Sequence, residues 1–276
     1  MTCLVCGAAA AAPLYRIRDV PVVRCPTCGL GRALSPPGFD PAYIYNESYF
    51  AGGQADGYAN YLDSRDVLVA EFRRVLRDLA AAGVRDGRLL EIGCAYGFFL
   101  DEASASFQVS GVELAPEAVA ACRRRGLDVV READDTFYRS RAPFDVVVML
   151  DVIEHLEAPD EVLRIVHSHT RAGGLMVITT GDFGSLAARL LGRRWRLMTP
   201  PQHLWFFTER SLERLLEQRG FRVLRTTRPW KLVPLHLIAY QLSRYLGGQN
   251  WLRRVRIPGG VPINLFDAMR VIAVRN

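Results

Sequence analysis

Residues 91–97, Glu-Ile-Gly-Cys-Ala-Tyr-Gly, constrain the fold of this chain more than any other feature. Leu89 to Ile92 is predicted as a short buried strand, and a helix is predicted to begin at Phe98. Small residues between the two let the turn approach a ligand closely; they are Gly93, Ala95 and Gly97. About twenty residues later Glu113 ends a second apolar strand, where a carboxylate can accept hydrogen bonds from two ribose hydroxyls. The pattern predicts a site for a nucleoside cofactor.

The acidic residue Glu91 at the strand end, the small-residue turn and Glu113 resemble the class I S-adenosylmethionine-dependent methyltransferases. A dinucleotide site is the rival interpretation, but it requires G-x-G-x-x-G, and Phe98 stands where that pattern needs its last glycine. Ala95 departs from the family, which has a central glycine at this position. A tight turn that binds nothing is the remaining alternative.

The resemblance implies that S-adenosylmethionine is the cofactor. Asp134 matches the position where the family accepts a hydrogen bond from the adenine amino group, with the register against Asp135 left open. The strand Phe144 to Leu150 ends where the cofactor methyl lies in this fold. The full set of implied cofactor-binding residues is Glu91, Gly93, Cys94, Ala95, Gly97, Glu113, Leu114, Asp134, Met149, Leu150 and Asp151.

Strand and helix signals alternate from Arg88 onward, which predicts an α/β fold with a doubly wound sheet. The predicted strands are 88–92, 109–114, 127–130, 144–150, 175–180, 221–227 and 270–275. Seven strands is the number that the resemblance implies for a Rossmann-like methyltransferase sheet, with the last strand antiparallel.

Four of the six cysteines form two pairs, each with two intervening residues, and eighteen residues separate the pairs. Two such knuckles can bring four thiolates into a tetrahedron, so the spacing predicts a structural zinc ribbon. Disulfides are the alternative, which a reducing compartment disfavours. The predicted zinc ligands are Cys3, Cys6, Cys25 and Cys28, whereas Cys94 and Cys122 are interpreted as packing residues.

Breaks in the pattern suggest three parts. The zinc ribbon is predicted for residues 1–34, and a proline-rich linker with a tyrosine-rich lid segment for 35–61. An extended arm that packs on the core through its tyrosines is the alternative to a lid. The methyltransferase domain is predicted for 62–276, with an insertion at 228–265. The insertion has four open interpretations: a substrate cap, an oligomer contact, a peripheral membrane patch, or a buried helix with a solvated arginine face.

The formal charge of +6 comes almost wholly from arginine, because Lys231 is the only lysine. These arginines do not form one dense stripe, which disfavours nucleic acid as the partner. The chain begins without a basic-then-apolar signal segment, and no run of eighteen apolar residues occurs, so we expect no transmembrane segment and a cytoplasmic location.

The residues after the fourth strand restrict the acceptor. Asp151-Val-Ile lacks the Pro-Pro-aromatic pattern typical of amino methylation of nucleic-acid bases. No cysteine follows Cys122 to serve as the nucleophile that pyrimidine-carbon methylation needs. Direct transfer to oxygen, nitrogen or an activated carbon remains. Glu154-His155 resembles small-molecule methyltransferases, including ubiquinone-type O-methyltransferases in which D/E-x-x-E-H can hold a divalent ion, so Asp151, Glu154 and His155 are candidates for a second metal.

His203 resembles the base of deoxysugar C-methyltransferases, which carry Tyr-x-Glu-His before a similar helix start. Pro200 and Gln202 occupy the Tyr and Glu places, so hydroxyl methylation becomes the favoured reaction. His203 is therefore the leading candidate base and His155 the reserve, with a packing role as the alternative for each.

We therefore expect methyl transfer to a small polar acceptor, most specifically a hydroxyl of a sugar or a saccharide-bearing metabolite. One alternative is an RNA or protein methyltransferase that grips its substrate with the ribbon and the arginines of residues 193–196. The other is a non-catalytic binding module that keeps the cofactor fold.

Overall fold

The computed structural model describes residues 2–9, 13–35, 38, 44, 50, 61–234 and 260–276. Most of the predicted lid segment and residues 235–259 of the predicted insertion lie outside this part of the chain. The interpretations offered for those two segments therefore stay predictions.

A seven-stranded sheet forms the centre of the described chain. Its strands are β4 (Gly87–Ile92), β5 (Phe107–Val112), β6 (Val129–Val130), β7 (Phe144–Leu150), β8 (Thr170–Gly181), β10 (Phe221–Thr227) and β13 (Ala268–Arg275). The spatial order is β10-β13-β8-β7-β4-β5-β6. Strands β6, β5, β4, β7 and β8 are parallel to one another, whereas β13 runs antiparallel between β8 and β10. The predicted seven-stranded, doubly wound α/β fold with an antiparallel last strand is confirmed.

Helices cover both faces of this sheet, which is why its central strands are continuous apolar runs. The helices are α1 (Arg65–Ala81), α2 (Phe98–Ala103), α3 (Pro116–Arg124), α4 (Asp135–Arg141), α5 (Pro159–His169), α6 (Leu186–Leu191) and α7 (Glu209–Gln218). Local sequence sets several of their boundaries. Pro116 and Pro159 occupy first-turn positions, and Thr208 caps α7 through reciprocal hydrogen bonds with Ser211.

A second sheet contains strands from both ends of the sequence. Its order is β1 (Pro13–Ile17), β2 (Val20–Arg24), β3 (Gly31–Ala33) and β9 (Trp205–Phe206). The first three strands belong to the predicted ribbon, whereas β9 lies about 170 residues later and pairs antiparallel with β3. Whether residues 1–34 form a domain of their own stays a prediction, but they share a sheet with the later chain.

A two-stranded hairpin, β11 (Lys231–Pro234) with β12 (Gly260–Ile263), lies within the predicted insertion. It contacts α1, which brings Lys231 to the carboxyl end of the central sheet. No helix among the residues that the structure describes is both long and apolar enough to cross a membrane.

Candidate active site

The turn between β4 and α2 forms the predicted cofactor loop. Gly93 and Gly97 have positive φ angles of 74° and 71°. A Cβ added at Gly93 would lie 2.4 Å from Val152 Cγ2, and one at Gly97 would lie 2.7 Å from Leu127 Cδ1. Both positions therefore need glycine for conformation and for space.

Ala95, the departure from the family pattern, also has a positive φ, of 46°. The left-handed conformation costs a non-glycine residue roughly 1–2 kcal/mol. The loop offsets part of this cost, because the Ala95 N–H donates a 2.8 Å hydrogen bond to Glu113 Oε2. Alanine thus adopts the left-handed conformation that this turn requires.

Glu113 lies directly after β5, and its carboxylate is fixed by the backbone. Oε2 accepts from Ala95 N and Oε1 from Ala115 N, each at 2.8 Å. Burial raises the pKa of Glu113, and these backbone hydrogen bonds oppose that rise. Each carboxylate oxygen has a second lone pair, so the fixed side chain can still accept from the two hydroxyls of a ribose.

Glu91 lies inside the site with an unsatisfied oxygen. Its side chain is only 3% exposed, and Oε2 has no hydrogen-bond partner among the described residues. Burial raises its pKa well above the ordinary value. A buried carboxyl of this kind calls for a donor or a cation. The α-ammonium of S-adenosylmethionine would supply both, so the residues present fit this cofactor.

Asp134 caps helix α4, since its Oδ1 accepts from Phe137 N at 2.7 Å. Asp135 instead pairs with Arg139 on the surface of the same helix. The capping role orients Asp134 and leaves Oδ2 for an adenine amino group, which favours Asp134 over Asp135 in the open register. The remaining predicted cofactor residues divide by burial: Cys94 and Met149 lie in the core and can offer only backbone atoms, whereas Leu114, Leu150 and Asp151 are partly or largely exposed.

Asp151 follows β7 with a positive φ of 56°, and a lysine holds its side chain. Lys231 Nζ lies 2.8 Å from Asp151 Oδ2 and 3.9 Å from Glu71 Oε2. Glu71 Oε1 also accepts from the Leu232 backbone at 2.5 Å. Burial opposes the charge of Lys231, but the carboxylates of Asp151 and Glu71 together outweigh it and the pKa of Lys231 is raised. Sequence reasoning missed both Lys231 and Glu71; the one available signal was that the chain has a single lysine.

The two candidate bases lie side by side. The rings of His155 and His203 have centroids 4.6 Å apart and an interplanar angle of 70°. His203 Nδ1 lies 2.8 Å from the Leu197 carbonyl, and His155 Nδ1 lies 3.0 Å from the Gln202 carbonyl. Because a carbonyl only accepts, the contact of His203 places its proton on Nδ1 and makes Nε2 the acceptor nitrogen of that ring. The His155 ring also hydrogen-bonds the Asp151 backbone. Burial, followed by the proximity of His155, lowers the pKa of His203 to about 3, so the ring is neutral at pH 7.

Glu154 completes this group. Its side chain is 4% exposed, and Oε2 has no hydrogen-bond partner in the described part of the chain. Burial and then the nearby Asp151 raise the pKa of Glu154 to about 8. One ligand atom each of Glu154, His155 and His203 lies within 4.8 Å of the others. We call these three residues the acid–base cluster. They also have donor types suited to a divalent cation, so of the set considered for a second metal Glu154 and His155 come together with His203, whereas Asp151 pairs with Lys231.

The four predicted zinc ligands also converge. The Sγ atoms of Cys3 and Cys28 are 3.5 Å apart and those of Cys6 and Cys25 are 3.4 Å apart, and all six cysteines of the chain are thiols. Four sulfurs around a zinc ion at 2.3 Å would lie about 3.8 Å from one another, whereas a disulfide requires about 2.05 Å. The sulfurs therefore fit a tetrahedral zinc site. Each knuckle is closed by a glycine amide that donates to the first cysteine's carbonyl, from Gly7 to Cys3 and from Gly29 to Cys25.

The fold and the cofactor loop together define a class I S-adenosylmethionine-dependent methyltransferase. A family model described as a methyltransferase domain matches residues 63–226, and the chain belongs to this family. Among curated relatives, the ubiquinone biosynthesis O-methyltransferase of Caulobacter vibrioides is 28% identical over 212 residues, covering 72% of this chain and 78% of the relative. The enzyme of the same name from Xanthomonas oryzae is 27% identical over 134 residues, covering 46% of this chain and 54% of its own length.

Solved structures agree with this assignment of the fold. A methyltransferase from Archaeoglobus fulgidus has a TM-score of 0.54 at 20% identity, covering 77% of this chain and 95% of its own. The magnesium protoporphyrin IX methyltransferase of Synechocystis, solved with bound S-adenosylhomocysteine, has a TM-score of 0.53 at 16% identity, covering 85% of this chain and 99% of its own. The predicted methyltransferase class and S-adenosylmethionine dependence are therefore confirmed.

Proposed function

We propose that this enzyme methylates a hydroxyl of a small polar acceptor, and that a sugar or saccharide-bearing metabolite is its specific substrate. The observation that carries the proposal is the acid–base cluster of Glu154, His155 and His203, which follows β7 at the end of the sheet where the methyl group is expected. A hydroxyl must lose its proton when its oxygen is methylated, and the cluster offers neutral imidazoles to accept it.

The division of roles follows from the geometry. When bound, the cofactor supplies an activated methyl group on a cationic sulfonium. Glu91 would hold its ammonium, Glu113 its ribose and Asp134 its adenine amino group. His203 takes the hydroxyl proton on Nε2, since its Nδ1 already donates to the Leu197 carbonyl. His155 is the reserve base. Glu154, whose pKa is raised to about 8, is largely protonated at pH 7 and can receive the proton only in its ionised fraction.

The relatives support oxygen as the acceptor atom, because both are named O-methyltransferases. Their names point to ubiquinone biosynthesis and do not point to a sugar, so the saccharide rests on the resemblance around His203. The nucleic-acid alternative counts Arg196 among the cations that would bind phosphate. The Arg196 guanidinium already donates two hydrogen bonds of 2.9 Å to Asp267, so its charge is paired within the protein. The exposed Arg193 and Arg194 remain.

Transfer of a labelled methyl group tests the proposal. The enzyme is incubated with methyl-labelled S-adenosylmethionine and saccharides, phenols, RNA or a protein, and the labelled atom is identified by mass spectrometry and NMR. We expect label on an oxygen of a saccharide, and none on the matched deoxy compound that lacks this hydroxyl. Label on the oxygen of a phenol would support hydroxyl methylation but would show that the substrate is a phenol and not a saccharide. Label on RNA, protein, nitrogen or carbon would contradict the proposal, and cofactor binding without transfer to any acceptor would favour the non-catalytic module.

Replacing Glu113 with Ala is expected to weaken S-adenosylmethionine binding about ten- to hundredfold. The reason is that hydrogen bonds involving a charged group contribute roughly 1.5–3 kcal/mol, and the substitution also removes the restraint on the strained Ala95. Isothermal titration calorimetry measures the effect. Glu117→Ala, an exposed carboxylate four residues later, is the matched control and should bind normally. Tight binding of nicotinamide dinucleotides by the unaltered protein would instead contradict the assigned cofactor.

A further inference from the structure

Strand β9 connects the cysteine-bearing sheet to the acid–base cluster. It begins two residues after His203 and pairs with β3, with Gly31 opposite Phe206 and Arg32 opposite Trp205. The Ala33 N–H extends the ladder by donating to the Leu204 carbonyl at 2.9 Å. Strand β3 itself begins three residues after the zinc ligand Cys28. A short and continuous backbone path therefore runs from the second cysteine knuckle to His203.

The same segment also fixes the other half of the cluster. Leu204 N donates to the Glu154 carbonyl at 2.9 Å, and Trp205 Nε1 donates to the Leu156 carbonyl at 2.8 Å. Residues 203–206 thus lie between β3 on one side and the turn that carries Glu154 and His155 on the other. A displacement of β9 would move both halves of the cluster.

The contacts between the two strands are close. A Cβ on Gly31 would lie 2.9 Å from Phe206 Cβ, so the strands meet at a distance that only glycine permits. The Arg32 guanidinium lies 4.8 Å from the centroid of the Trp205 ring. Farther along, Thr208 Oγ1 donates to the Cys28 carbonyl at 3.3 Å. Cys25 and Cys28 belong to the same buried cluster as Trp205 and Phe207, so no solvent layer separates the knuckle from the site.

We propose that the four-cysteine site is a positioning element for the reaction: metal bound there holds β3, and β3 holds His203 and Glu154 through β9. Strand β3 has only three residues and β9 only two. Strands this short do not hold a register by their own hydrogen bonds, and the metal-closed knuckle three residues before β3 supplies a restraint in addition to packing. The inference rests on the proposed function only for the catalytic consequence; the mechanical link stands without it.

Hydrogen exchange of the zinc-loaded 276-residue chain tests the mechanical link. Stripping the metal with a chelator, or Cys28→Ser, should speed exchange of the amides in residues 203–206 about tenfold or more, while the amides of β7 keep their protection. Gly31→Val should do the same with zinc still bound, because its side chain separates β3 from β9 without touching a cysteine. Arg32→Ala is the milder second variant. Arg16→Ala, on β1 at the far edge of the same sheet, is the matched control and should change nothing.

Kinetics of the same variants test the catalytic consequence. We expect kcat to fall on the order of a hundredfold in Gly31→Val, the cost of misplacing a catalytic group by about 1 Å, with KM for S-adenosylmethionine nearly unchanged. Unchanged exchange at 203–206 in the metal-free protein and in Gly31→Val would overturn the proposal. Faster exchange with an unchanged kcat would support the mechanical link and instead overturn the role of His203 in the proposed function.

Discussion

Replacing His203 with Asn is expected to lower turnover about a hundred- to ten-thousandfold, the usual effect of removing a general base. The asparagine amide can still donate to the Leu197 carbonyl, which His203 Nδ1 contacts at 2.8 Å, so the substitution removes Nε2 and keeps the local hydrogen bond. Affinity for S-adenosylmethionine and the melting temperature should therefore change little. Steady-state turnover, calorimetry and thermal unfolding of the same preparation measure the three quantities.

Two further histidines provide the comparison. His155→Asn should lower turnover less than His203→Asn, and His167→Asn, on α5 outside the cluster, should leave it unchanged. If His203→Asn keeps more than about a third of the turnover, the proton goes to His155, Glu154 or solvent. A large loss of melting temperature without a specific loss of turnover would identify His203 as a packing residue. If His203→Asn instead lowers turnover because the variant no longer binds an added divalent ion, the cluster is a metal site.

The structure changes the reason for expecting His203 to work as a base. An unperturbed imidazole has a pKa near 6.5, which suits proton transfer at neutral pH. Burial lowers the pKa of His203 to about 3, so the protonated ring is costly unless a neighbour shares the charge. Glu154, whose pKa is raised to about 8, lies within the same cluster. It is largely protonated at pH 7, so it can accept a proton only in its ionised fraction, which grows as the pH rises through 8. Proton transfer therefore belongs to the cluster as a unit, and sequence reasoning had considered Glu154 only as a metal ligand.

Features that depend on a short stretch of local sequence were predictable. The Gly93 and Gly97 positions follow from a turn whose backbone has positive φ, and Pro116 and Thr208 mark the starts of helices by their own local chemistry. The central parallel strands were predictable for the same reason, because buried parallel strands such as β4 and β7 are continuous apolar runs.

Features that depend on tertiary pairing were not predictable. Strand β9 has two residues, too few for a hydrophobic period, and its partner β3 lies about 170 residues earlier. The ion pair of Lys231 and Asp151 joins a hairpin to the end of β7. The sequence around either residue does not indicate that the other is its partner. The spacing of the cysteines predicted their convergence, which the structure shows, but it contained no information on what the ribbon packs against.

Elemental analysis of the purified protein is expected to give one zinc per chain, held by Cys3, Cys6, Cys25 and Cys28. Structural zinc sites have apparent binding free energies on the order of 10 kcal/mol, so Cys25→Ser should abolish stoichiometric zinc. Because Cys25 and Cys28 are buried in the same cluster as Leu212 and Met176 of the methyltransferase part, we expect the melting temperature of the whole chain to fall with the metal. Cys122→Ser, a buried thiol outside the ribbon, is the matched control: it should retain one zinc even if it lowers stability. A zinc-free wild-type protein with the same melting temperature and an ordered N-terminal segment would show that packing alone holds the four cysteines together.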